Sequence, residues 1–168
     1  MNKPLIIAGF AGIGKTTLAK KYKNVIDLES SIYKWDNTGF EDVPVEQRKG
    51  IIRKENPNWP NNYIEEIKKQ SLNYDIILVW IHPDVLEIYD ENNIDYVLCY
   101  PNKSSMKIYE ERYKERGNNK EYIDKVVNTY DYRLKQFEEK SAPKIILQGN
   151  ETLEDYLIKN NYKLIKRD

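Results

Sequence analysis

The run Gly9-Phe10-Ala11-Gly12-Ile13-Gly14-Lys15-Thr16-Thr17 follows directly on the apolar stretch Leu5-Ile6-Ile7-Ala8 and leads into Lys15 to Lys23, which reads as a helix with Leu18 and Ala19 inside it. Three glycines beside a core strand surrender backbone order where a fold most needs it. The spacing Gly-x-x-x-x-Gly-Lys-Thr between strand and helix explains the concession. Glycines admit positive φ and leave no side chain in the way, so successive amides turn inward around a phosphate, and the helix N-terminus adds partial positive charge. At background frequencies the four fixed positions coincide by chance in well under about 1% of chains this long, so the pattern carries real weight. On this reading Gly9, Ala11, Gly12, Ile13, Gly14, Lys15, Thr16 and Thr17 hold a polyphosphate. Lys15 reaches its outer phosphates, and the Thr16 hydroxyl is offered to Mg²⁺. The alternative is a plain glycine turn with Lys15 solvated.

Strand-length and helix-length segments alternate beyond the loop. Val25 to Leu28, Ile76 to Ile81, Ile94 to Tyr100 and Ile145 to Leu147 read as four further strands, several of them continuously apolar. Helices are expected from Pro60 through Gln70, over Asp84 to Tyr89, from a Ser104 cap to a left-handed turn at Gly117-Asn118, over Glu121 to Glu138, and over Glu151 to Asn160. Residues 32 to 58 hold no sustained period, with one short helix expected around Val45 to Lys54. The tail after Asn160 is expected to fray. Buried strands separated by helices predict an α/β fold, a three-layer α/β/α sandwich on a five-stranded parallel sheet. Ligands then bind beyond the carboxyl ends of the strands, where the glycine loop sits.

Charge and length narrow the function. The 27 basic and 27 acidic residues cancel, so no global field favours a nucleic acid. No apolar run approaches the ~18–20 residues of a membrane span. Met1 to Pro4 do not resemble a secretion signal, and a cytoplasmic protein is expected. Cys99, the single cysteine, excludes an internal disulfide and reads as a core residue.

The loop resembles that of the P-loop nucleoside triphosphatases, and the short chain with five strands and later arginine-bearing helices resembles the small P-loop kinases, adenylate-type nucleoside monophosphate kinases among them. The resemblance implies strand order 2-3-1-4-5 in a single domain. Its core would be residues 1–31, 72–103 and 141–168, its acceptor-binding insertion about 32–71, and its lid about 104–120 followed by a helix over 121–140. It implies ATP and Mg²⁺ as cofactors and phosphoryl transfer to a small acceptor, most simply a nucleoside monophosphate. A nucleotide hydrolase or switch acting on a protein partner, and a kinase for nucleic-acid ends, are the rival readings.

Further site residues follow. Asp27 ends the second strand, where a carboxylate would serve the metal, the acceptor or the attacking hydroxyl, unless it merely caps a turn. The third strand ends in His82-Pro83-Asp84 instead of the usual carboxylate, which leaves metal support to Asp27 or Asp84. His82 would touch a phosphate or order its loop. Arg112 and Arg116 stand four apart on one helix and so face the same way; the kinase resemblance implies a lid there that closes over the transferred group, with Gly117-Asn118-Asn119 as hinge, and a salt-bridged solvated face is the alternative. Arg48, Arg53, Lys54, Trp59 and Tyr63 offer cations and flat faces for the acceptor, and the resemblance implies a further phosphate contact at Arg133, a salt-bridged solvated face being the alternative.

Overall fold

The computed structural model describes residues 3–168, the side chain of residue 46 excepted; Met1 and Asn2, and with them the first half of the Met1–Pro4 stretch, lie outside the described residues. Five strands, β1 (Leu5–Gly9), β2 (Val25–Asp27), β3 (Ile76–Trp80), β4 (Val97–Pro101) and β5 (Lys144–Leu147), alternate with helices. The helices are α1 (Lys15–Lys21), α2 (Ser30–Lys34), α3 (Asn61–Gln70), α4 (Pro83–Glu91), α5 (Met106–Glu115), α6 (Lys120–Glu139) and α7 (Leu153–Lys159). The sheet is parallel throughout, in the order β2-β3-β1-β4-β5. The expected architecture and strand order are therefore present. No helix among the described residues is long and apolar enough to cross a membrane.

The continuous apolar strands lie where both faces are covered. Ile76, Ile77, Leu78 and Val79 of β3 are all buried, as an interior parallel strand between helix layers requires. The register pairs Gly9 with Trp80 and Asp27 with Leu78, so β1, β2 and β3 end at one rim of the sheet. Cys99 is buried beside them and burial pushes its thiol up to about 12, which leaves it an inert core residue.

Tyrosine hydroxyls finish that rim. Tyr63 of α3 is fully buried; its hydroxyl donates to Leu28 O at 2.8 Å and accepts from Trp80 N at 3.2 Å, so one group ties the ends of β2 and β3 together. Tyr89 of α4 donates to Trp80 O at 3.0 Å. Phenylalanine at 63 would fill the same space and leave a buried carbonyl and amide without this partner. Tyr63→Phe is therefore expected to cost about 1–3 kcal/mol in urea unfolding; an unchanged midpoint would show that the hydroxyl bridges nothing of consequence.

Four expectations are corrected. The helix around Val45 to Lys54 shortens to a 3₁₀ turn at Val45–Arg48, because Gly50 takes φ 87° and turns the chain away. Ser30–Lys34, largely within the stretch read as aperiodic, forms α2 behind a Glu29 cap. Ser104 does not cap α5. Its hydroxyl donates to Asn102 Oδ1 at 3.2 Å within the turn Lys103–Ser105, and α5 begins behind that turn without a side-chain cap. The tail does not fray: Lys23 N donates to Ile165 O and Arg167 N to Lys21 O, while the buried Asn24 side chain donates to Lys163 O and accepts from Ile165 N. The end of α5 is as expected, with Gly117 at φ 76°, Asn118 N donating to Tyr113 O and Gly117 N to Lys114 O, the paired bonds of a left-handed C-cap.

Candidate functional site

The glycine loop joins β1 to α1 and is braced from three sides. Phe10 turns into the core and meets Tyr109, Tyr130 and Phe137 edge to face at 6.1, 5.8 and 6.3 Å between centroids. Tyr113 donates to Ala11 O at 2.8 Å, and Leu153 N at the start of α7 donates to Ile13 O at 3.0 Å. Ile13 is fully buried. Gly12 and Gly14 hold φ of 88° and 96°, and Gly14 is the residue before α1. A side chain at Gly9 would meet Ile13 Cδ1 at 2.7 Å and Lys15 Cδ at 2.9 Å, so the loop doubles back only over a bare Cα. The first amides of α1, those of Lys15, Thr16 and Thr17, have no carbonyl within their own helix to donate to, and Thr16 and Thr17 are exposed.

Lys15 is half-buried and folds over the loop, donating to Gly9 O at 2.6 Å and Phe10 O at 3.4 Å. Burial lowers its basicity; Asp27 and Glu29 act in the opposite sense, and Arg116 adds to the lowering. These groups therefore share one electrostatic neighbourhood. Thr16 Oγ1 donates to Asp27 Oδ2 at 2.8 Å, which brings the hydroxyl of α1 against the carboxylate at the end of β2. Two hard oxygen donors side by side suit Mg²⁺, which takes few protein ligands and completes its shell with phosphate and water. Here the carboxylate comes from β2, since β3 runs out in Trp80 and His82 caps α4, its Nδ1 accepting from Asp84 N at 3.4 Å. Burial lowers the basicity of His82, as do Arg133, Lys34 and Lys125, against Asp84.

The arginines divide. Arg116, exposed at the end of α5, lies within the field of Lys15. Arg112, one turn earlier, is fastened to the loop itself. It donates to Gly12 O at 3.0 Å and to Asn150 O at 2.9 Å, and its guanidinium lies 4.6 Å from the Tyr109 ring centre. It clamps the loop to the turn after β5 in this structure. Arg133 is half-buried on α6 and faces the neighbourhood of His82.

Arg48 and Arg53 turn into the insertion and not toward the loop. Arg48 donates to Val43 O at 2.7 Å and Glu41 O at 3.2 Å; Arg53 donates to Asn37 Oδ1 at 2.6 Å and Arg48 O at 3.2 Å. This stretch has little regular structure, so its carbonyls take donors from side chains. Trp59 stacks on Tyr63 at 5.5 Å and 27°. The residues that sequence reasoning missed are Lys34, Trp35 and Trp80, which meet Trp59 at the rim: the Lys34 ammonium lies 5.1, 5.9 and 5.3 Å from the rings of Trp35, Trp59 and Trp80. Only an aromatic residue closing the apolar β3 run hinted at them.

No family model matches the chain, and no curated protein matches it by sequence. Among solved structures, the tunicamycin resistance protein of Deinococcus radiodurans superposes with a TM-score of 0.54 at 13% identity, over 98% of this chain and 99% of that one. At that identity the likeness concerns the fold. The two chains share that fold over nearly their whole lengths.

Proposed function

We propose that the chain is an ATP- and Mg²⁺-dependent phosphotransferase that moves the terminal phosphoryl group to a small acceptor, with a nucleoside monophosphate the favoured class. The observation that carries this reading is the bond between Thr16 Oγ1 and Asp27 Oδ2 at 2.8 Å beside the Lys15 ammonium. It joins hard oxygen donors and a half-buried cation at the mouth of one glycine loop. In the reaction so assigned, a bond forms between an acceptor oxygen and the terminal phosphorus while the bond to the diphosphate leaving group breaks, through a loose, highly charged transition state.

Each residue contributes position or charge. The amides at the start of α1 and the Lys15 ammonium hold the donor phosphates. Thr16 and Asp27 would hold the metal, which supplies neutralisation of phosphate oxygens when bound. Arg112 keeps the loop in shape by holding Gly12 O, and Arg116, at the carboxyl end of α5 and within the field of Lys15, is the cation assigned to the transferred group.

A panel assay tests the proposal. Wild type is incubated with Mg-ATP and, separately, nucleosides, nucleoside monophosphates, small sugars, an oligonucleotide, and tunicamycin for the sake of the structural neighbour's name. ADP release that depends on a small acceptor is the expected result. Equal release with no acceptor would make the protein a hydrolase, and response to the oligonucleotide alone an end kinase; either would overturn the proposal.

A further inference from the structure

The chain has three tryptophans, and all of them line one spot. Trp35 follows α2, Trp59 precedes α3 and Trp80 ends β3, yet their rings converge on the Lys34 ammonium at 5.1, 5.9 and 5.3 Å. Trp59 and Trp80 pack against the core on one side, while Trp35 comes to the same ammonium from outside it. All three indoles keep a minor part of their surface exposed at the rim of the sheet.

Lys34 is held by ring faces and forms no ion pair with a carboxylate among the described residues. The indole of Trp80 lies 4.8 Å from the His82 ring, and the charges that act on His82 include Lys34, Lys125 and Arg133, with Asp84 the one acidic group among them. A cation that sits between flat apolar faces, with further cations beyond, complements a ligand that is planar and negatively charged.

We infer that Lys34 with Trp35, Trp59 and Trp80 forms a binding subsite for a planar aromatic ring that bears an anionic group. The indoles stack the ring, and Lys34 with the cations beyond it meets the negative end. That this ligand is the phosphoryl acceptor rests on the function proposed above; the binding chemistry does not.

Intrinsic fluorescence reads the subsite directly, since every tryptophan of the chain belongs to it. The full chain is titrated without any triphosphate, using uridine 5′-monophosphate, uridine, ribose 5-phosphate and tetramethylammonium as probes. The monophosphate is expected to quench saturably, and uridine and ribose 5-phosphate to bind at least about tenfold more weakly. Lys34→Arg should stay within about threefold of wild type, and Lys34→Met should lose at least about tenfold with an unchanged thermal midpoint. Absence of saturable quenching, equal binding of uridine and its monophosphate, preferential binding of tetramethylammonium, or a wild-type response in Lys34→Met would each overturn the inference. Acceptor-dependent transfer without quenching removes this subsite and leaves the proposed reaction standing; quenching in a protein that transfers nothing does the opposite.

Discussion

Lys15→Ala is expected to lower acceptor-dependent phosphoryl transfer by about 10²–10³-fold, the effect of losing one preorganised charge at a transition state that spreads negative charge over phosphate oxygens. The ammonium is already placed for this work. It lies against Gly9 O at 2.6 Å, half-buried, at the mouth of the loop, where a low local dielectric strengthens its pull on a phosphate relative to water. Removing it takes away a partly desolvated cation, and the fold should not suffer: a thermal midpoint within about 4 °C of wild type corresponds to about 1 kcal/mol or less for a chain of this length. Full activity in the variant, measured as acceptor-dependent ADP release, would return Lys15 to a structural part.

Gly12→Ala is expected to damage both stability and donor binding. Its φ of 88° suits glycine, and a Cβ there would sit 3.0 Å from Tyr113 Cε1 and 3.3 Å from Tyr109 Cδ1, two rings locked in the core. The left-handed backbone alone costs a side-chain residue about 1–2 kcal/mol, and crowding a packed ring adds about 1–3 kcal/mol. Gly39→Ala is the matched comparison, because Gly39 has φ 85° with nothing within 4 Å of an added Cβ. Urea unfolding should therefore find Gly12→Ala less stable than Gly39→Ala by about the crowding term. Relief of the clash by moving the loop would spoil the cradle, so triphosphate binding should fall in the first variant and persist in the second. Equal stability of the two would mean that Tyr109 and Tyr113 do not wedge the loop.

What the sequence disclosed follows from how local the governing physics is. β1, β3 and β4 stand out as continuous apolar runs because an interior parallel strand is covered on both faces, and the glycine spacing names the loop because positive φ at Gly12 and Gly14 is a local demand. The neighbouring Thr16 and Asp27 were both legible, one from the loop pattern and one from its place at the end of β2. The i, i+4 spacing of Arg112 and Arg116 gave a shared direction but not what each side chain would meet there. Arg112 meets the carbonyls of Gly12 and Asn150, which lie 100 and 38 residues away in sequence. The insertion was opaque for the same reason. Its order comes from Arg48 and Arg53 closing on carbonyls and from Lys34 among indoles brought from positions 35, 59 and 80, none of which leaves a period. The tail, too, is tied by a single buried Asn24 and backbone bonds, contacts that no pattern of apolar residues announces.

The central claim is that the loop between β1 and α1 takes a triphosphate with its metal, and isothermal titration of the wild-type chain with ATP, with and without Mg²⁺, addresses it most directly. The account predicts saturable binding at one site per chain that depends on Mg²⁺ and is lost in Lys15→Ala. Absence of Mg²⁺-dependent binding of ATP or GTP to a folded chain would contradict it.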